Sequence, residues 1–122
     1  MIRSSVLVVL VLLAAGCGSN AGSGATTQTP ATAGSGGAVH VVMRNLFFNP
    51  DAVAAKVGQT VTWANEDSSP HNVMYVSGPR FTSSRPILNP GDRFSITPTE
   101  AGTIHYFCSL HPWMKATIVV NP

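Results

Sequence analysis

A thiol, an imidazole and a thioether stand three residues apart near the carboxyl end of the chain, at Cys108, His111 and Met114. They form a Cys-x2-His-x2-Met array within residues 106–114, YFCSLHPWM. Sulfur and imidazole donors together suit a soft or borderline metal, copper above all. A trigonal site needs a second imidazole, and His71, 37 residues before Cys108, is the candidate. The sequence therefore predicts one copper ion bound by these four side chains.

Two histidines, a cysteine thiolate and a weak axial methionine suit a metal that must serve two oxidation states. They hold a geometry between those that Cu(I) and Cu(II) prefer, so that an electron can be gained or lost with little rearrangement. We expect His71, Cys108 and His111 in equatorial positions and Met114 in the axial one. A bound metal would keep Cys108 deprotonated.

The same residues allow two other interpretations. Cys108 and His111 could form a nucleophile and its base, but no oxyanion or acid partner is visible in the sequence, and Met114 is left unexplained. Zinc also binds cysteine and histidine, but it seldom takes a thioether ligand. Met114 therefore favours copper over both alternatives.

Composition limits the remaining possibilities. The chain has 122 residues, enough for one domain, with 10% charged residues and a formal net charge of +2. The sequence has no run of basic residues that would indicate a nucleic-acid partner. Cys17 lies at the end of an apolar leader and Cys108 lies in the metal array, so we expect no disulfide between them.

The first 16 residues predict a secretory signal of the lipoprotein type. Arg3 supplies a positive charge, and residues 6–15 form an apolar run that is too short to span a bilayer. The small residues 14–16 then precede Cys17, which resembles a bacterial lipobox, where cleavage falls before the cysteine and that cysteine is acylated. The alternative is an ordinary signal peptide with Cys17 as a leftover thiol. We expect lipid attachment at Cys17, and a location in the periplasm or on the outer face of the cell membrane.

The leader is followed by a segment that predicts a flexible tether. Residues 18–37 are mostly Gly, Ser, Ala and Thr, with no charged, aromatic or large aliphatic residue. Such a segment cannot bury enough surface to become ordered, and a coil of this length spans about 25 Å on average. The chain therefore divides into a signal peptide at 1–16, an acylated cysteine and linker at 17–37, and a globular domain at 38–122.

The globular domain reads as all-β. Short β-rich runs alternate with turns that contain Gly, Pro, Asn and Asp, which is typical of an antiparallel sandwich or barrel. The predicted strands cover residues 38–43, 52–57, 60–65, 72–76, 93–96, 103–107 and 115–120.

Alternation along the strands predicts which side chains face the core. Trp63 is the expected central core residue. Tyr106 and Cys108 share a face of their strand, and His71 can point inward at the end of another strand. We therefore expect His71 and Cys108 to meet at one pole, between two sheets.

Three motifs together carry a resemblance to a known family. Cys-Ser-Leu-His-Pro-Trp-Met at 108–114, Val-Thr-Trp-x-Asn at 61–65 and Pro-His-Asn-Val at 70–73 resemble the cupredoxins, which are type 1 blue-copper proteins. Two residues separate His111 from Met114, as in amicyanin-like members of the family. Plastocyanin-like members resemble this chain less. Ser109 and Leu110 stand where amicyanins have Thr-Pro. The resemblance implies a cupredoxin-like antiparallel Greek-key β-sandwich.

The resemblance also implies roles for neighbouring residues. Asn72, directly after the first histidine, would stiffen the site. The ring edge of His111, with Pro112 and Trp113, would form an apolar surface patch through which electrons pass.

We expect a blue-copper protein that shuttles single electrons between redox proteins, such as a cytochrome c or a dehydrogenase, through transient docking. It would be a monomer and not an enzyme in its own right. The alternative is a protein that binds Cu(I) for delivery or storage. A copper-dependent oxidase or reductase is disfavoured, because only His40 and His105 remain as ligands for a second copper centre.

Overall fold

The computed structural model describes residues 36–122. The predicted signal peptide, Cys17 and residues 18–35 of the predicted linker lie outside the described residues. Within residues 36–122, no helix has the length and apolar character needed to cross a membrane.

The described part of the chain contains eight strands. They are β1 Val39–Arg44, β2 Phe47–Asn49, β3 Ala52–Lys56, β4 Val61–Asn65, β5 Met74–Ser77, β6 Arg93–Ile96, β7 Gly102–Phe107 and β8 Lys115–Asn121. All seven predicted strands are present, and β2 is additional. The strand predicted at 72–76 in fact begins at Met74, because the side chain of Asn72 turns inward and bonds to two neighbouring segments.

The strands form two four-stranded sheets, which confirms the predicted all-β sandwich. The first sheet has the order β2-β1-β4-β6 and the second has the order β3-β8-β7-β5. Most neighbouring strands pair antiparallel, but β1 pairs with β4, and β3 with β8, in parallel. Parallel neighbours need a crossover connection, and between β1 and β4 the chain crosses to the second sheet to form β3.

The hairpin of β1 and β2 closes through a two-residue turn without glycine. Arg44 pairs with Phe47 across its base, and Asn45 and Leu46 between them have φ of 55° and 61°. Both central residues have positive φ in a type I′ turn, which matches the twist of the strands. Leucine is an uncommon occupant of this conformation, because its Cβ crowds the backbone there.

The core lies between the two sheets and is centred on Trp63, as predicted. Trp63 is fully buried, with its ring centroid 5.3 Å from that of Tyr106 and 5.6 Å from that of Phe94. Tyr106 in turn meets the ring of Phe48 edge-on at 4.8 Å. Burial alternates along β4 and β7, so each strand presents one apolar face to this cluster.

The topology brings two connections together at one pole of the sandwich. The first runs from β4 in the first sheet to β5 in the second sheet and carries His71. The second joins the adjacent antiparallel strands β7 and β8; it starts with Cys108 and ends with Met114. The predicted meeting of His71 and Cys108 between the sheets is confirmed, since both side chains are completely buried and close together.

Candidate metal centre

The backbone around His71 is fixed by pairing with a distant segment. His71 N–H donates to the carbonyl of Leu88 at 3.0 Å, and Leu88 N–H donates back to the carbonyl of His71 at 2.8 Å. Asn65, at the end of β4, donates from Nδ2 to the carbonyls of Ser69 and Leu88, both at 2.9 Å. These contacts hold the backbone of His71 in place.

The loop between β7 and β8 is closed by its own backbone. Cys108 N–H donates to the carbonyl of Met114 at 2.9 Å, and Met114 N–H donates to the carbonyl of His111 at 2.8 Å. His111 N–H reaches the carbonyl of Cys108 at 3.3 Å. These bonds fold seven residues into two successive turns, which bring the three predicted ligands of the loop to the same end of the domain.

Three of the predicted ligands converge. The Sγ atom of Cys108 lies 3.9 Å from Nδ1 of His71 and 3.8 Å from Nδ1 of His111. All three donor atoms lie within 4.8 Å of one another. Within residues 36–122 this is the single group of three His, Cys, Asp or Glu side chains close enough to share a metal ion.

These separations fit a metal in a trigonal plane. With metal–sulfur and metal–nitrogen bonds of about 2.3 and 2.05 Å, the lengths found for zinc, and an angle of 120° between them, sulfur and nitrogen are about 3.8 Å apart. The sulfur–nitrogen distances on both sides of Cys108 agree with that value. The donor atoms thus have the spacing for a first-row metal ion, and their chemistry suits copper.

Met114, the fourth predicted ligand, closes the loop that carries Cys108 and His111. Its side chain is fully buried, and its backbone is bonded to both Cys108 and His111. A buried thioether on this loop suits the part of a weak, soft ligand.

Asn72 links the two ligand-bearing connections. Its Nδ2 donates to the carbonyl of Pro86 at 2.9 Å and to Oγ of Ser109 at 2.8 Å. Ser109 N–H donates back to Oδ1 of Asn72 at 2.8 Å. Ser109 therefore makes two hydrogen bonds to the buried side-chain amide of Asn72.

Asp67 is a site residue that the sequence analysis did not identify. Its Oδ2 accepts a hydrogen bond from Nε2 of His71 at 3.0 Å and another from the Leu46 amide at 2.9 Å. The Leu46 amide, and to a lesser degree the His71 ring, hold the pKa of Asp67 below its usual value, although burial opposes them. The sequence carries one hint, an acidic residue four positions before His71, but nothing in it points to Leu46.

The two histidine rings differ in their access to solvent. His71 is completely buried, whereas His111 is partly exposed. The ring centroid of Trp113 lies 5.4 Å from that of His111, and 59% of Trp113 is exposed. Pro112 is exposed as well, and so is Leu110. An apolar rim thus surrounds the one predicted ligand that reaches the surface.

The remaining histidines take no part in this cluster. His40 on β1 and His105 on β7 are both exposed and point away from the core, as the alternation of their strands predicts.

A sandwich of two four-stranded sheets, with a His–Cys–His cluster and a buried methionine at one pole, defines a cupredoxin. The chain belongs to the plastocyanin/azurin family of copper binding proteins, whose family description matches residues 36–121. The cofactor of this family is one copper ion, and the donor atoms described above fit it.

Similar proteins include amicyanins and plastocyanins. The amicyanin of Paracoccus denitrificans is 37% identical over 87 residues, which cover 70% of this chain and 66% of that protein. The plastocyanin of Scenedesmus fuscus is 38% identical over 86 residues, which cover 62% of this chain and 88% of that protein. Among solved structures, a purple cupredoxin from Nitrosopumilus maritimus is 33% identical, with a TM-score of 0.62 over 68% of this chain and 99% of its own.

Proposed function

We propose that the protein is a blue-copper carrier of single electrons. His71, Cys108 and His111 would hold the copper, and Met114 would be its fourth, weaker ligand. The observation that carries this proposal is the position of the Cys108 thiol, buried between two imidazole Nδ1 atoms at 3.8 and 3.9 Å. Bound copper supplies the redox couple, and the residues around it keep its surroundings unchanged as the electron comes and goes.

The rigidity of the ligands supports electron transfer. The His71 ring is fixed by the Leu88 pairing and by Asp67, and the Cys108 loop is fixed by its own turns and by Asn72. None of these contacts involves a metal-binding atom, so they persist in both oxidation states. Small rearrangement of the ligands is the property that a fast one-electron site requires.

His111 offers the route to partners. Its ring is the predicted ligand that reaches solvent, and the apolar rim of Leu110, Pro112 and Trp113 surrounds it. A small apolar face of this kind suits weak, transient docking. We assign to the protein redox partners such as a cytochrome c or a dehydrogenase, in keeping with its likeness to amicyanin, and a monomeric state.

The proposed location is outside the cytoplasm, with a lipid anchor at Cys17. The apolar leader and the small residues before Cys17 support export and acylation. A flexible linker would then let the copper domain reach partners near the membrane surface.

The alternative function is delivery or storage of Cu(I). Proteins that surrender copper need an accessible site, often rich in sulfur. Here Cys108 and Met114 are fully buried, so an acceptor protein could not reach either sulfur atom without a local opening of the loop. The burial of both sulfur ligands therefore favours electron transfer.

The decisive experiment is the visible spectrum of the protein with one equivalent of Cu(II), before and after ascorbate. We expect an intense thiolate-to-copper band that bleaches on reduction and returns on reoxidation. Cys108→Ser is the matched control and should lack the band, since it replaces the thiolate by a hydroxyl of similar size. A weak band in the wild type, or an intense band in Cys108→Ser, would refute the assignment.

A second measurement separates the carrier from the delivery protein. The reduced protein is mixed with a Cu(I) chelator at equal concentration, and copper transfer is followed over time. An electron carrier keeps its copper through many redox cycles. Rapid loss of copper to the chelator would favour delivery instead.

A further inference from the structure

The carboxylate of Asp67 lies on the side of the His71 ring opposite to Cys108. Nδ1 of His71 faces the cysteine sulfur at 3.9 Å, and Nε2 faces Oδ2 of Asp67 at 3.0 Å. Because a carboxylate only accepts, Nε2 must carry the proton in this contact. The ring is thereby held in the tautomer that leaves Nδ1 free for a metal.

The carboxylate is itself held from two directions. The Asp67 amide donates to Oδ1 of Asn65 at 2.9 Å, which fixes the start of the side chain. At the other end, the Leu46 amide donates to the same Oδ2 that meets His71. The Asp67 side chain is 15% exposed, so solvent screens the electrostatic effect of its carboxylate only in part. Asp67 is thus placed by the fold and is not a surface acid in chance contact.

The donor at Leu46 comes from the turn of the β1–β2 hairpin. Asn45 and Leu46 both have positive φ, an unfavourable conformation for leucine. Glu66, the residue before Asp67, donates its backbone amide to the carbonyl of Met43 at 3.0 Å. Together with the bond from Leu46 to Asp67, this joins the hairpin to the His71 connection at two points. Unfavourable backbone that persists beside a functional residue is held there by its surroundings.

We infer that Asp67 is a positioning residue that tunes the copper site through His71. Its hydrogen bond fixes the orientation and tautomer of the ring, and its negative charge makes Nδ1 a stronger donor, as carboxylates bonded to metal-bound histidines do. A stronger donor and a nearby negative charge both favour Cu(II) over Cu(I), so Asp67 lowers the reduction potential. The inference rests on the proposed copper site, and the β1–β2 turn serves as the second anchor of the carboxylate.

The first test compares reduction potentials of the copper-loaded protein. Asp67→Asn keeps the size and an acceptor oxygen but removes the charge; the expected result is a preference for Cu(I) raised about tenfold, or about 59 mV in potential. Glu66→Gln is the matched control, because it removes the same charge from the adjacent residue, whose side chain is exposed and pairs with Arg44. Its potential should stay at the wild-type value. Asp67→Glu, which retains the charge, should lie closer to wild type than Asp67→Asn does.

The second test needs no copper. In the copper-free protein labelled with ¹⁵N, the His71 ring should carry its proton on Nε2, and this proton should exchange slowly with solvent. In Asp67→Ala the exchange should accelerate at least tenfold, while circular dichroism verifies that the domain is folded.

The outcomes separate this inference from the proposed function. Equal potentials for Asp67→Asn and Glu66→Gln would overturn the tuning role, even if the wild type cycles its colour normally. A proton on Nδ1 of His71 in the copper-free protein would overturn the positioning role. A wild type that takes up no redox-active copper would refute the proposed function, and the proton measurement would still decide whether Asp67 fixes the ring.

Discussion

Asn72 and Ser109 bond to each other in both directions, across 37 positions of sequence. The side-chain amide of Asn72 donates to the serine hydroxyl, and the serine backbone amide donates to the Asn72 oxygen, each at 2.8 Å. One residue follows His71 and the other follows Cys108. The pair therefore ties together the two connections that supply the proposed ligands.

Removing the Asn72 side chain should destabilise the domain. Asn72→Ala breaks three hydrogen bonds and removes a partner of the Pro86 carbonyl and of the Ser109 amide, which we expect to lower the free energy of unfolding by about 3 kcal/mol. Ser109→Ala breaks one of the three bonds and should cost about 1 kcal/mol. Urea unfolding of the copper-free proteins measures both values. Equal costs for the two variants would mean that the bonds to Pro86 and to the serine amide contribute nothing.

Replacing Met114, the proposed weak ligand, should change the reduction potential and leave the copper bound. In Met114→Leu a weak donor gives way to a hydrocarbon of similar size, which disfavours the more highly charged Cu(II). The potential should rise by roughly 60 mV, a tenfold change in preference for Cu(I). Voltammetry gives the potential, and metal analysis gives the copper content. Met43→Leu is the control, since Met43 is equally buried but lies in the core on β1. Loss of copper from Met114→Leu alone would show that the thioether carries more of the binding than an axial ligand should.

The apolar rim at His111 should control the rate of electron exchange. Trp113→Ser removes a largely exposed ring next to His111. Self-exchange between oxidised and reduced protein should therefore slow by about tenfold, which corresponds to about 1.4 kcal/mol less free energy of association between the two molecules. Val119→Ser is the control, as Val119 is also exposed and apolar but lies far along β8. Line broadening in mixtures of the two oxidation states measures the rate. An equal effect of both substitutions would place the contact elsewhere.

The sequence predicted most of the fold, because its strands are short and alternate clearly. It missed β2, which has three residues and follows a turn of Asn45 and Leu46 without the glycine that usually marks a hairpin. It also missed the parallel pairing of β1 with β4 and of β3 with β8. Pairings between strands so distant in sequence depend on how the connections cross between the sheets, and no local pattern encodes that.

The candidate site was predictable where chemistry and spacing coincide. Cys108, His111 and Met114 are close in sequence, and their donor types are unusual together. His71 was found through its chemistry and its motif. Asp67 could not be found in this way, because its role depends on a contact with the Leu46 amide, which only the folded hairpin creates.

The unequal exposure of the two histidines limits how the protein can pass electrons between its partners. If electrons enter and leave through the partly exposed His111 ring, donor and acceptor must dock on the same surface. The protein then cannot bind both partners at once and conduct electrons from one to the other. It must dissociate from one before it meets the other, so the pace of delivery is set by how quickly each encounter ends and by how far the carrier has to travel to the next.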